Sequence, residues 1–103
     1  MSATFDDVRK IALSLPKVEE ATSYGTPAFK LKKKLLMRLK EDGETLVAIV
    51  GFDNRDMLME IDPQTFFSTD HYRGYPTVLV RLKRITKAKL HDVIQMTVAH
   101  RQT

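Results

Sequence analysis

Apolar positions recur along the first fifteen residues at helical spacing, with Phe5, Val8, Ile11, Ala12 and Leu15 forming one stripe. Thr4, followed three residues later by Asp7, resembles an N-terminal cap, so a helix is predicted from about Thr4 to Ser14 and stopped by Pro16. A polar stretch runs to Tyr24. After Gly25-Thr26-Pro27 the period changes to two: Phe29 and Leu31 alternate with Lys30 and Lys32, the pattern of a half-buried strand. Leu35 to Leu39 reads as a second strand, Asp42-Gly43 within Glu41 to Glu44 as a hairpin turn, and Leu46 to Val50 as a third strand. Gly51 to Asn54 breaks this meander, and Arg55 to Ile61 reads as a short helix ended before Pro63. Phe66 and Phe67 form a short strand. Val78, Val80 and Leu82 alternate with Leu79, Arg81 and Lys83 in another, and a closing helix from about Thr86 places Leu90, Val93, Ile94, Thr97 and Val98 inward.

The order α-β-β-β-α-β-β-α, with hairpins in place of crossovers, predicts an α+β fold: an antiparallel sheet of about five strands with helices packed on one side. The 103 residues fit one domain spanning 1–103, and no repeat, linker or low-complexity tract divides them. With 43% hydrophobic and 29% charged residues the chain is of ordinary globular composition. The polar, acidic start and the short apolar runs predict a cytoplasmic protein without a membrane span.

Absence of cysteine excludes disulfides, thiolate metal sites and a cysteine nucleophile. His71, His91 and His100 lack metal-site spacing, and His91 and His100 are read as surface residues. The four glycines form no phosphate loop. Ser14, Ser23 and Ser68 have no nucleophile-elbow context, and the adjacent Glu19 and Glu20 read as solvated carboxylates. The expectation is therefore a protein with no catalytic residues, no metal and no cofactor.

Charge is distributed in blocks. Segment 21–40 carries Lys30, Lys32, Lys33, Lys34, Arg38 and Lys40 without an acid, and segment 73–91 carries Arg73, Arg81, Lys83, Arg84, Lys87 and Lys89 without one. Between them, segment 41–72 holds eight carboxylates against Arg55 alone. Strand alternation predicts that Lys30, Lys32, Arg38, Arg81 and Lys83 share one polar sheet face, where they contact phosphates or keep a small domain soluble. Two segments add aromatic groups. Tyr24 and Phe29 precede the lysine run, as binding or core residues. His71, Tyr72, Arg73 and Tyr75 share one loop, whose planar groups either stack on bases or pack under the sheet edge.

The loop from Leu15 to Glu20, the run Ser-Tyr-Gly-Thr-Pro-Ala-Phe-Lys from Ser23, Tyr-Arg-Gly-Tyr-Pro from Tyr72 and Val-Leu-Val-Arg-Leu from Val78 resemble the MmcQ/YjbR-like family of small bacterial proteins over nearly the whole chain. The resemblance implies a fold similar to that of frataxin and CyaY. It also implies DNA binding through a double-wing arrangement of hairpins, and it brings no catalytic residues. Two features depart from the family pattern. Lys32-Lys33-Lys34 replaces a hairpin glycine, implying a wider turn, and Thr77 stands where a large aromatic often follows the proline.

The leading expectation is a non-enzymatic domain binding DNA or another nucleic acid. Lys30, Lys32, Lys33, Lys34, Arg38, Arg81 and Lys83 would meet about six phosphates, and Tyr24, His71, Tyr72, Arg73 and Tyr75 would approach bases or sugars. An adaptor that engages an acidic protein partner, and a binder of a phosphorylated small molecule near His71, are the alternatives.

Overall fold

The computed structural model describes residues 2–102. Three helices and six strands follow in the order α1 (Phe5–Leu13), β1 (Val18–Ser23), β2 (Thr26–Leu31), β3 (Lys34–Leu39), β4 (Thr45–Ile49), α2 (Phe52–Ile61), β5 (Phe66–Phe67), β6 (Thr77–Arg81) and α3 (Lys87–Gln102). All strand pairs are antiparallel and the sheet order is β1-β2-β3-β4-β6-β5. This is the expected α+β architecture with one strand more than the hydrophobic pattern indicates. Among the described residues no helix is long and apolar enough to cross a membrane.

Local chemistry sets the ends of the elements. The Thr4 hydroxyl accepts from the Asp7 N–H, and the Asp7 carboxylate accepts from the Thr4 N–H at 2.9 Å, closing a capping box at α1. Asp7 is consequently held below the usual carboxylate range, chiefly by the Thr4 N–H. Thr86 caps α3 through the Lys89 N–H at 3.2 Å. The second helix begins at Phe52, earlier than its apolar spacing suggests. Gly51 starts it at φ +95°, with the His100 ring 3.1 Å from where a β-carbon would stand. His100 is thus half-buried against a glycine, whereas His91 is exposed.

The core lies between the inner sheet face and the helices. Phe29, Met37, Leu46, Ala48, Val78, Val80 and Phe66 meet Val8 and Ala12 of α1, Leu58 of α2, and Leu90, Val93 and Ile94 of α3. Phe29 is fully buried with its ring 5.8 Å from that of Phe5. Truncation there is expected to cost about 3–5 kcal/mol.

Three local features break the simple alternation. Phe29 pairs with Met37 but Lys30 with Leu35, so Leu36 is the extra residue of a β-bulge, and Leu35 turns to the outer face while Leu36 and Met37 both enter the core. Leu31 and Lys34 are direct partners, so β2 and β3 are joined by Lys32-Lys33 alone, at φ +51° and +69°: a tight two-residue hairpin, not a wider turn. β6 ends at Arg81, and Leu82–Arg84 form a 3-10 turn that removes Lys83 from the sheet.

Candidate functional site

The outer sheet face is where most of the expected binding residues meet, although it is not the polar face that alternation predicted. Val47 and Leu79, paired across β4 and β6, are buried on it together with Ala28 and Thr77. The segment between β5 and β6 folds back toward this face, where His71, Tyr72 and Tyr75 line one hollow with Val47 and Thr77. In that segment Asp70–Tyr72 form a 3-10 turn, the Tyr75 N–H donates to the Tyr72 carbonyl at 3.0 Å, and the Pro76 carbonyl accepts from the N–H groups of Val50 and Gly51. Arg55 clamps the segment from α2, its Nη1 donating to the carbonyls of Arg73 at 2.8 Å and Tyr75 at 3.1 Å.

The clamp presents three rings as one group. His71 and Tyr72 meet edge to face at 4.7 Å, and Tyr75 lies 6.3 Å from His71 and 6.5 Å from Tyr72. Across the face stands Tyr24, in the β1–β2 turn. Between them is a cavity of about 600 Å³ with Leu35, Val47, Ile49 and Thr77 on its floor. Arg38 is its centre. The residue is 8% exposed, and its guanidinium donates to Glu41 Oε1 at 2.8 Å, to the Tyr72 hydroxyl at 3.2 Å and to Thr26 Oγ1 at 3.3 Å, and lies 5.4 Å from the centre of the Tyr24 ring. Burial works against its charge, but the bonds to Glu41 and Tyr72 outweigh it and hold the guanidinium pKa above its usual value. The same contact holds the Glu41 carboxyl below its usual range.

Tyr24 is the least expected member of the group. It is 88% exposed and sits at φ +54°, where Asn or Gly is cheaper. Tyr75 is 56% exposed. Packing explains neither ring, whereas Phe29 is wholly core.

Of the residues singled out from sequence, the cavity therefore gathers Tyr24, Arg38, His71, Tyr72 and Tyr75. Lys30 lies on the same face, beside Leu35 in the register and opposite Glu19 of β1. Arg81 shares the face but is stacked 3.9 Å over Phe67 and donates to the Gln64 carbonyl, outside the cavity. The other cations expected on this face stand elsewhere. Lys32 and Lys33 form the hairpin tip, Lys34 borders a cavity on the helix side, and Lys83 pairs with Glu44, which holds its pKa above the usual value. Arg73 points to its own turn, 2.6 Å from Asp70 Oδ1. The basic residues thus do not form one continuous face.

Sequence reasoning missed Glu41 and Arg55. Glu41 looked like a turn residue. Arg55 carried a readable signal, being the lone cation in an acidic segment, but only the fold shows that it grips the aromatic loop. Among the described residues no group of three or more His, Cys, Asp or Glu side chains could hold a metal ion.

A family model described as YjbR matches residues 13–97. Proteins of Mycobacterium tuberculosis and Mycobacterium bovis, both described as uncharacterized, are 33% identical over 110 aligned residues covering 89% of this chain and 83% of each relative. The crystal structure of a Deinococcus radiodurans protein with a DUF419 domain superposes with a TM-score of 0.76 at 20% identity, covering 94% of this chain and 77% of that one.

Proposed function

The chain belongs to the YjbR family, and on that footing we propose that it is a non-catalytic domain that binds single-stranded nucleic acid on its outer sheet face. The observation that carries this reading is the arrangement of Tyr24, His71, Tyr72 and Tyr75 around the Arg38 guanidinium over an aliphatic floor. Unpaired bases offer flat faces to exposed rings at about 1–3 kcal/mol each, without requiring a particular sequence. A duplex keeps its bases stacked and has no use for such a cavity.

The electrostatics favour stacking over phosphate contact. Glu41 engages Arg38, Asp70 engages Arg73 and Glu44 engages Lys83. Lys30 on the face and Lys33 at the hairpin tip remain for phosphates. About two contacts on a single strand give a roughly sevenfold loss of affinity between 50 and 200 mM salt, well below the ~10³-fold expected of six on a duplex. A phosphorylated small molecule is served less well, because Arg38 already faces Glu41.

Fluorescence anisotropy with a labelled twelve-nucleotide single strand and the matching duplex tests the reading. The single strand should bind at least about tenfold more tightly. Tyr75→Ala should weaken it about 5- to 100-fold while leaving the melting temperature unchanged. Equal affinity for duplex, or a silent Tyr75→Ala, overturns the proposal.

A further inference from the structure

A second cavity, of about 750 Å³, opens on the helix side of the β2–β3 hairpin, between the α1–β1 loop and the last turns of α3. Its apolar part is Leu15, Pro16, Leu31 and Val98, and its charged part is Lys17, Lys32, Lys34 and Arg101, with no carboxylate side chain in the lining. From this we infer that the cavity docks a short acidic peptide segment with an apolar centre.

Four arguments select that occupant. Charge comes first: four cations from three separate parts of the chain surround one hollow, and a carboxylate-rich segment is their complement. Second, the backbone is strained to put them there. Lys17 and Lys32 hold φ of +66° and +51°, and Lys33 beside them +69°, where glycine or asparagine costs less, so the lysine side chains are retained against the preference of the backbone. Third, Arg101 is fixed in place, with its Nε donating to the Leu35 carbonyl at 2.8 Å. The cation is anchored by an uncharged partner and keeps its charge for a ligand.

Fourth, the remaining lining suits a peptide better than a nucleic acid. Gln95 and Gln102 of α3 border the same cavity. Seven helical residues span about 10 Å, the length of about three residues of extended chain. Their amides supply the donors and acceptors that a peptide backbone needs. The floor between them is aliphatic and has no aromatic ring on which a base could stack, in contrast to the outer face.

Anisotropy of a fluorescein-labelled hexapeptide, Asp-Glu-Leu-Phe-Glu-Asp, against its neutral counterpart, Asn-Gln-Leu-Phe-Gln-Asn, tests the inference on the full chain. The acidic peptide should bind with a Kd on the order of 10–100 µM, and the neutral one at least about tenfold more weakly. Lys34→Glu, at an exposed strand end, should cost about tenfold by replacing attraction with repulsion. Val98→Glu in the floor should abolish binding, with thermal melting reporting that the domain stays folded, and Tyr75→Ala on the opposite face should leave binding unchanged. No acidic-peptide binding up to about 1 mM, equal binding of the neutral peptide, or a silent Lys34→Glu overturns the inference. The oligonucleotide experiments on the outer face can succeed or fail independently of it.

Discussion

Replacing Lys32-Lys33 by Asn-Gly should make the protein more stable and a poorer binder of anions at the same time. Both lysines hold positive φ in a two-residue hairpin between the partners Leu31 and Lys34. A non-glycine residue in the left-handed region costs about 1–2 kcal/mol, and Asn-Gly is the pair such a turn prefers. Glycine gives back about 0.4–1 kcal/mol through the freer unfolded chain. The balance is a gain of about 1 kcal/mol, or roughly 5 °C in melting temperature for a domain of this size. Urea unfolding at fixed ionic strength should show a higher midpoint with an unchanged slope. A Lys32→Gln, Lys33→Gln control removes the same charge and keeps the backbone cost, so its midpoint should stay near that of the natural protein. Both variants should bind the acidic hexapeptide more weakly. A midpoint for Asn-Gly at or below the starting value would refute the claim that the turn is strained.

The same reasoning applies to Tyr24. Tyr24→Asn relieves the backbone at φ +54° and loses the exposed contact with Arg38, so stability should change by less than about 1 kcal/mol while single-strand affinity falls about 5- to 100-fold; a large fall in melting temperature would mean the ring is structural. Thr65 is buried and its hydroxyl has no hydrogen-bond partner among the described residues, so Thr65→Val, which keeps the shape, should raise stability by about 1 kcal/mol, and a lower melting temperature would count against this. Acid should destabilise the domain through Asp7, Glu41 and Asp42, whose folded-state pKa values are lowered by the Thr4 N–H, by Arg38 and by the Glu44 N–H respectively. Groups with depressed pKa contribute stability that is complete above their unfolded values and lost as pH falls through the folded ones, so the melting temperature should be level above about pH 5 and drop below about pH 4. A melting temperature that rises on acidification would reverse that sign.

The helices and the inner strand faces were legible because burial on one side leaves a period in the sequence: the Thr4–Asp7 cap, the α3 stripe and the Val78–Val80 alternation all appear where expected. β1 was not legible. It is an edge strand, Val18-Glu19-Glu20-Ala21-Thr22-Ser23, with polar residues on both faces, and Glu20 turns toward α1 to accept from Arg9 Nε at 3.0 Å. An edge that carries charge discourages pairing with other chains, and the same charge erases the alternation that reveals a strand. The bulge at Leu36 was invisible for a related reason. One extra residue reverses the phase of a strand, and a run of Leu, Leu and Met is apolar in either phase.

Charge misled for a different reason, one that bears on both binding surfaces. Counting cations by segment assumes that each block keeps its charge when the chain folds. Instead the acidic segment supplies partners, Glu41 to Arg38 and Asp70 to Arg73 three residues away along the chain, and Glu44 to Lys83 from a separate part of it. Glu41 thereby offsets the charge at the centre of the outer-face cavity, which presents mainly rings, a surface for planar groups. The helix-side cavity receives no carboxylate from the acidic segment into its lining, so Lys17, Lys32, Lys34 and Arg101 keep their field there. One hairpin, β2–β3, carries both surfaces, with Arg38 on the outer face and Leu31 and Lys34 at the helix-side cavity. Two ligands of different chemistry, one planar and one acidic, can then occupy opposite sides of the same two strands. A charge reversal at Lys34 and a ring deletion at Tyr75 should each silence one surface and spare the other.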